Sequence, residues 1–473
     1  MAAALTRQLG SFIADLAFDA IPEDAIATVK TGMIDCIGVM VAGCREPNVA
    51  IVDRCFRHIP EAPESRLFLT GERVSAPLAA LVNGVAAHVL DYDDVAEPLG
   101  GHPSTVLAPA ILAEADALPG VKGRDMVRAY VTGYEAWAEL AGRDRHPHHM
   151  KGWHPTSAFG VIGAAAACAA LRGLGAEQAT HALGIAASEA GGLVANFGSM
   201  TKSLHAGRAA QAGVLACRLA AAGFTAAPDA LEHPRGLLAA LSPHGEMDVA
   251  SPVEWPRREW RISIYRLGVK KYPMCYAVHR ALDGVLDLVR AHPVAPDDVE
   301  QIDVLLGEKQ AAILRNHRPQ TGLEAKFSIE FAMAAALAAG RVGLAELSDP
   351  FVLRDDVQRL MARVRVEPMA ESGGGESVFS PFDQVRLRLK DGRILAGARV
   401  EVARGDRIQP LSREELWIKF EDCLAYGRHG SDAARKLFDA LDRLEEVDSA
   451  AALPSLRSQS TRANGGQQNE RYS

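Results

Sequence analysis

No two of the seven cysteines stand in a C-x-x-C pair. They lie scattered, at Cys36, Cys44, Cys55, Cys168, Cys217, Cys275 and Cys423 of 473 residues. That spacing excludes a disulfide framework and the clustered thiolates of an iron–sulfur centre, and it fits a reducing, cytoplasmic setting. The chain also lacks H-E-x-x-H, G-x-x-x-x-G-K-[ST] and G-x-S-x-G, so zinc-protease, P-loop and nucleophile-elbow chemistries have no basis in it. The glycines near Gly173 and Gly175 follow no expected strand and make no dinucleotide fingerprint. Charge of one sign is not in large excess. The chain has 51 Lys and Arg against 59 Asp and Glu, a formal net charge of −8. No nucleic-acid or membrane-surface partner is expected from that balance. No apolar run reaches the ~18 residues of a membrane span, and the N-terminal stretch lacks the apolar segment of a signal peptide.

Apolar residues make up 48% of the chain, ordinary for large buried cores. The length predicts two or three domains. From Thr6 to about residue 258 the apolar spacing is helical, as in 24–41, 124–140, 157–171, 176–190 and 202–222. These segments are too rich in Ala and Gly for a coiled coil and predict closely packed helices. Residues 261–267 alternate like a strand, 273–290 read as helix, and 302–306, 364–366 and 385–389 are β-rich. Asp391-Gly392 between two alternating runs, 385–389 and 394–402, predicts a hairpin. Residues 325–339 read as helix, and Ser412 with Glu415 predicts a capping box that opens further helices. The expected fold is therefore mainly α, a large all-helical domain with an inserted smaller α+β lid domain. Its parts are 1–265 (helical), 266–400 (α+β), 401–449 (helical return) and 450–473 (a polar, disordered tail).

Four stretches carry residues suited to chemistry. The first is LDYDDVAEPLGGHPST, with Asp91, Asp93, Asp94 and His102 between an expected helix end near Asp91 and a new helix at Val106. Carboxylates are disfavoured at a helix C-terminus, which points to a task for them. Ser104 or Thr105 would cap the new helix, whose free N–H groups favour an anion. The plainer reading is a solvated acidic turn. The second stretch is GWHPTS, where His154 again precedes a Pro-led helix; the alternative is a buried histidine satisfied by backbone. Nearby His146, His148 and His149 read as solvated. The third is MTKSLHAG, which puts Lys202 and His205 on one helix face. The fourth is KKYPMC, where Lys270, Lys271 and Cys275 would open a helix with His279 four residues on; the alternative for Cys275 is a small buried hydrophobe. Together these groups describe a site for a small polyanion with several proton-transfer residues and no metal. They suit proton abstraction beside a carboxylate, followed by elimination, decarboxylation or inversion.

Those motifs, with AKFSIEFAMAAAL after them, resemble the MmgE/PrpD family in order and spacing, over roughly residues 6–444. The resemblance implies an all-helical domain, a smaller α+β lid and a homodimer. It implies catalytic roles for Asp91, His102 and His154 and substrate-carboxylate binding by Lys202 and Lys270, with His205 supporting Lys202; Cys275, beside Lys270 and Lys271, is counted with the substrate-binding residues from its position in the sequence. The implied activity is that of a cofactor-independent, 2-methylcitrate dehydratase-like hydro-lyase on a di- or tricarboxylic acid. The alternatives are an epimerase or isomerase, a decarboxylase of a related acid, or a binding protein without catalysis. The chain departs from the studied branches in having Val95 after Asp94, Cys275 in place of a histidine and Phe331 in place of a tyrosine. Each departure removes a polar group.

Overall fold

The computed structural model describes residues 4–56, 59–60, 62–254, 259–369 and 380–454. The protein is mainly α-helical. Two compact units divide it. One combines the chain up to Leu267 with the chain from Leu416, and the other is the intervening Gly268–Glu415.

The first unit opens with helices α1 (Leu5–Asp15), α2 (Glu23–Gly43), α3 (Pro47–Phe56), α4 (Ala76–His88), α5 (Ser104–Ala117) and α6 (Gly123–Ala141). It continues with α7 (Pro155–Ala158), α8 (Gly160–Arg172), α9 (Ala176–Ser188) and α10 (Thr201–Ala221). A short strand pair, β1 (Ser65–Arg66) with β2 (Arg73–Val74), interrupts them. The abundance of Ala and Gly is spent on close crossings. A Cβ on Gly133 of α6 would lie 2.5 Å from the Gly163 carbonyl of α8, and one on Gly213 of α10 would lie 2.3 Å from Ala164 Cβ. Helix α2 and the stretch Pro155–Arg172 are apolar and long enough to cross a membrane by composition, but 72% and 94% of their apolar windows are buried within the protein. They are core helices here.

Residues 261–267, expected as a strand, instead form a helical turn over Arg261–Tyr265. The buried Glu135 carboxylate accepts the Ile262 N–H at 2.9 Å, so a tertiary contact at the turn's first residues overrides the alternating pattern.

The second unit holds helix α11 (His279–Ala291), strand β3 (Val299–Gly307), helix α12 (Ile329–Ala339), and strands β4 (Val364–Met369), β5 (Gln384–Leu389) and β6 (Ile394–Ala396). Strand order is β4-β3-β5-β6, with β3 and β4 parallel and the other pairs antiparallel. Val304 on the central strand faces Val366 on one side and Val385 on the other. The expected Asp391-Gly392 hairpin joins β5 to β6, with Gly392 at φ 87° supplying the left-handed turn residue. Strand β6 is shorter than the alternation over 394–402 predicts; beyond it, pairing is reduced to a single bridge between Val400 and Asp383. The core unites Leu282 and Val285 of α11, Phe331 of α12 and Val304, Leu306, Val385 and Leu387 of the sheet. The insertion runs past residue 400 because Val269 N–H reaches the Gly405 carbonyl at 2.6 Å and Lys271 pairs with Glu415 at 2.7 Å.

The return to helix is α13 (Arg413–Tyr426) and α14 (Ser431–Asp442). Its predicted capping box is present: Ser412 N–H donates to Glu415 Oε2 at 3.0 Å, and Glu415 N–H donates to Ser412 Oγ at 3.2 Å. The start of the expected tail is ordered. Ala450–Ala452 forms a 3-10 turn, and Ala450 N–H binds the Val121 carbonyl at 2.7 Å. The rest of that tail, 455–473, lies outside the described residues.

Candidate functional site

Helices α4 and α10 cross at a glycine pair. A Cβ on Gly84 would sit 2.8 Å from Gly207 Cα, and one on Gly207 would sit 2.4 Å from the Leu81 carbonyl. No larger residue permits that approach. Its consequence is positional: His88 lies one turn after Gly84, and Lys202 and His205 lie within two turns before Gly207. The crossing therefore brings one end of each helix to the same place.

Helix α4 ends at His88, three residues short of the expected end near Asp91. Asp91 has φ 53°, a left-handed conformation that costs a non-glycine residue roughly 1 kcal/mol. Its Oδ1 meets Lys202 Nζ at 2.7 Å. Asp93 is fully buried, and its Oδ2 lies 2.9 Å from Nδ1 of both His88 and His102. The next acid, Asp94, turns to the start of α5. There Ser104 N–H reaches its Oδ1 at 3.3 Å and the Ser104 hydroxyl meets its Oδ2. This corrects the expected cap. Neither Ser104 nor Thr105 caps the helix with its own side chain, because the Asp94 carboxyl already accepts the Ser104 N–H.

His102 is fixed from several sides. Its Nδ1 is 2.8 Å from the Asp94 carbonyl as well as near Asp93, and its backbone N–H donates to Thr156 Oγ1 at 3.2 Å. A carbonyl oxygen only accepts, so the proton belongs on Nδ1, and Nε2 is left with the lone pair. Gly101 is required beside it, since a Cβ there would meet Thr156 Oγ1 and Trp137 Cζ2 at 2.9 Å.

His154 enters from the residue before α7, with its N–H on the Gly192 carbonyl at 3.0 Å and its Nδ1 3.1 Å from His205 Nδ1. One of those two nitrogens carries a proton and the other accepts it. The His88 ring lies 4.7 Å from that of His102 and stacks on His154 at 5.9 Å. Phe197 closes over His154 at 4.8 Å, with Lys202 Nζ 5.5 Å from its ring. Asp91, His102, His154, Lys202 and His205 are thus brought together as expected, and His88 and Asp93 join them.

Burial pushes the His88 imidazole down to about 4, against the pull of Asp93. Burial, with the neighbouring imidazoles and Lys202, lowers His154, and burial with Lys202 lowers His205. These three rings are therefore neutral near pH 7. Burial would raise Asp93, but the two imidazole donors hold it well below the carboxylate range. Asp94 goes the other way, raised well above that range by burial and by Asp35 and Asp93. Among the described residues, His88, Asp93 and His102 form a group close enough to hold a metal ion, their donor atoms lying within 4.8 Å of one another. Both Nδ1 atoms, however, address one Asp93 oxygen at hydrogen-bond distance, and that of His102 also needs a proton for the Asp94 carbonyl. The cluster is arranged as proton-bearing donors around a carboxylate.

Lys270 and Cys275 belong to the second unit. Lys270 is buried. Cys275 has extended backbone (φ −52°, ψ 134°), and α11 starts only at His279 after a 3-10 turn. Cys275 and His279 therefore do not share the helix face that the sequence led us to expect. Phe331 lies in the apolar core of that unit, 6.3 Å from Phe351. His148, expected in solvent, is buried against Phe159 at 4.6 Å.

Sequence reasoning passed over His88, the last residue of the apolar helix α4. It also passed over Asp35 and Lys419, which lie buried beside the acid loop. A signal for Asp35 exists: it is the only charged residue in the run GMIDCIGVMVAG of α2.

Known proteins place these features. The N-terminal domain model of MmgE/PrpD matches residues 7–250, and the corresponding C-terminal domain model matches residues 272–444. The chain is 29% identical to cis-aconitate decarboxylase of Mus musculus over 395 residues, covering 81% of this chain and 79% of the relative. It is 23% identical to cis-aconitate decarboxylase of Aspergillus terreus over 471 residues, 94% of each chain. With both family domains matched in order across the two units, the chain belongs to the MmgE/PrpD family.

Proposed function

We propose that this protein is a lyase acting on a small tricarboxylic acid of the cis-aconitate kind, with His102 as proton carrier and Lys202 as anchor for a substrate carboxylate. The observation that carries the reading is the pairing of His102 Nδ1 with the Asp94 carbonyl and the Asp93 carboxylate, which assigns the proton to Nδ1 and leaves Nε2 to exchange a proton beside a lysine and three neutral imidazoles. The similarity to cis-aconitate decarboxylases supports the substrate class.

The chemistry needs one proton and no redox partner. In an acid whose double bond is β,γ to a carboxylate, a proton delivered to the far alkene carbon lets the C–C bond to that carboxylate break. The freed electron pair forms the new double bond, and CO2 leaves. His102 Nε2, once protonated, supplies that proton. Lys202, already facing Asp91 at 2.7 Å, offers its charge to a second carboxylate of the substrate.

Dehydration is the second reading, and the His154–His205 pair favours keeping it. Elimination of water requires a base at the α-carbon and an acid at the hydroxyl, and two separate histidine groups supply both. On either reading Lys270 and Cys275 keep their proposed role in carboxylate binding, and a raised KM in Lys270→Ala checks it. The reading includes a cytoplasmic homodimer that needs no cofactor. Sedimentation as a monomer at micromolar concentration, or loss of activity to a chelator, would contradict those parts.

The deciding experiment offers purified protein cis-aconitate, citrate and 2-methylcitrate in deuterated water. CO2 release with one deuterium per product is expected. Alkene formation from a hydroxy acid without CO2 would select dehydration, and deuterium exchange with neither would select an epimerase. No turnover of any polycarboxylate would refute the proposal.

A further inference from the structure

Asp93 sets the orientation of two imidazoles, yet its own loop contains a left-handed Asp91 and has no regular structure of its own. Its peptide frame is held from behind. On one side of Asp93, the Tyr92 carbonyl accepts from Lys419 Nζ at 2.8 Å, and the same ammonium lies 4.0 Å from the centroid of the Tyr92 ring. On the other side, the Asp94 N–H approaches the Asp35 carboxylate, outside full hydrogen-bond geometry. Lys419 and Asp35 pair with each other at 2.5 Å. Asp35 comes from α2 and Lys419 from α13, and both are at least 95% buried. Burial raises Asp35 while Lys419 pulls it down.

A buried ion pair is weak evidence for stability, because an apolar pair of similar volume often does as well or better. This pair has an orientation that an apolar pair would lack, since its donor is spent on a backbone carbonyl next to Asp93. The other charged and titratable groups around Asp93 include His88 of α4, His102 and Asp94 of its own loop and Cys36 of α2, with Lys202 of α10 paired to nearby Asp91. None of these holds the peptide groups of residues 92–94 from the side of α2 and α13.

We propose that the Asp35–Lys419 pair is a positioning device for Asp93: it fixes the peptides of residues 92–94 so that one carboxylate oxygen meets His88 and His102 together. The pair touches no substrate and acts through Asp93. The inference rests on the proposed function only in taking His102 as the proton carrier.

The test is the double variant Asp35→Asn/Lys419→Met, which removes both charges and leaves neither partner buried alone. With histidine labelled with nitrogen-15, the ring-nitrogen resonances of His88 and His102 report their bonds to Asp93 whether or not the protein turns over. Displaced Nδ1 resonances are expected, with kcat on cis-aconitate down about 10- to 100-fold and KM within about threefold. A folded double variant with wild-type resonances and wild-type kcat overturns the proposal. If the wild type turns over no polycarboxylate, the proposed function fails, and the resonances still decide on the positioning role. Should the double variant not fold, Lys419→Arg decides by the same resonances. Its guanidinium keeps the charge facing Asp35 but moves the donor away from the Tyr92 carbonyl, so unchanged signals would overturn the proposal.

Discussion

Replacing Asp93 with Asn separates two jobs that one carboxylate does. Its Oδ2 receives Nδ1–H groups from His88 and His102, each at 2.9 Å. Hydrogen bonds to a charged group contribute about 1.5–3 kcal/mol and neutral ones about 0.5–1.5, so each bond weakens by roughly 1–1.5 kcal/mol in the amide. If the carboxylate stabilises a protonated His102 during turnover, the loss summed over the two bonds is about 2–3 kcal/mol, or roughly 30- to 160-fold in kcat. A larger penalty, ~10⁴-fold, is known where a carboxylate alone dictates the histidine tautomer. Here the tautomer has a second guarantor, the Asp94 carbonyl 2.8 Å from the same nitrogen. The intermediate loss is therefore expected, with KM little changed, in an assay of CO2 release from cis-aconitate. A fall of 10⁴ would refute the argument by showing that the carbonyl does not hold the proton. An unchanged kcat would refute it by removing His102 from the proton path.

His102→Ala should lower kcat by about 10²–10⁴ with a modest change in KM, whereas Lys202→Ala should act mainly on KM; steady-state kinetics showing the reverse would exchange their roles. The Lys202 variant also leaves Asp91 facing the substrate anion, so adding Asp91→Asn should recover part of the lost affinity. The folded protein keeps His88 neutral down to about pH 4, while the unfolded chain protonates it near 6.5. Its stability contribution is therefore complete above pH 6.5 and lost as pH falls toward 4, by about 3 kcal/mol. Denaturant unfolding at pH 7 and pH 4.5 measures it, and His154 and His205 act in the same direction. A profile that is flat over that window would refute the assignment. Gly207→Ala forces a Cβ to within 2.4 Å of the Leu81 carbonyl, so a loss of about 2–4 kcal/mol and of activity is expected. Gly191→Ala meets no atom within 4 Å and should leave Tm unchanged.

The helical unit was legible because Ala and Gly recur at helical spacing, and the hairpin because Asp391-Gly392 has few other uses. The turn at 261–265 was not, since its conformation depends on Glu135, more than a hundred residues away in sequence. The site divides along the same line. Asp91, His102, His154, Lys202 and His205 announce themselves by polar residues next to Gly, Pro or a helix start. His88 and Asp93 gain their meaning only when α4 meets α10 and one carboxylate oxygen is shared. The expected helix face joining Cys275 to His279 failed because Pro273 suggests a first helical turn that the chain delays until His279.

The link between Lys419 and Tyr92 spans 327 residues of sequence, with the whole second unit lying between its two ends. On the ribosome, helix α2 and the acid loop emerge long before the lysine that joins them. Until α13 is made, Asp35 faces the apolar interior without its cation and the peptides around Asp93 lack their anchor, so a nascent chain halted near residue 400 holds every proton-transfer residue of the cluster but not their alignment. Alignment of this centre is thus tied to a segment synthesised after the whole second unit.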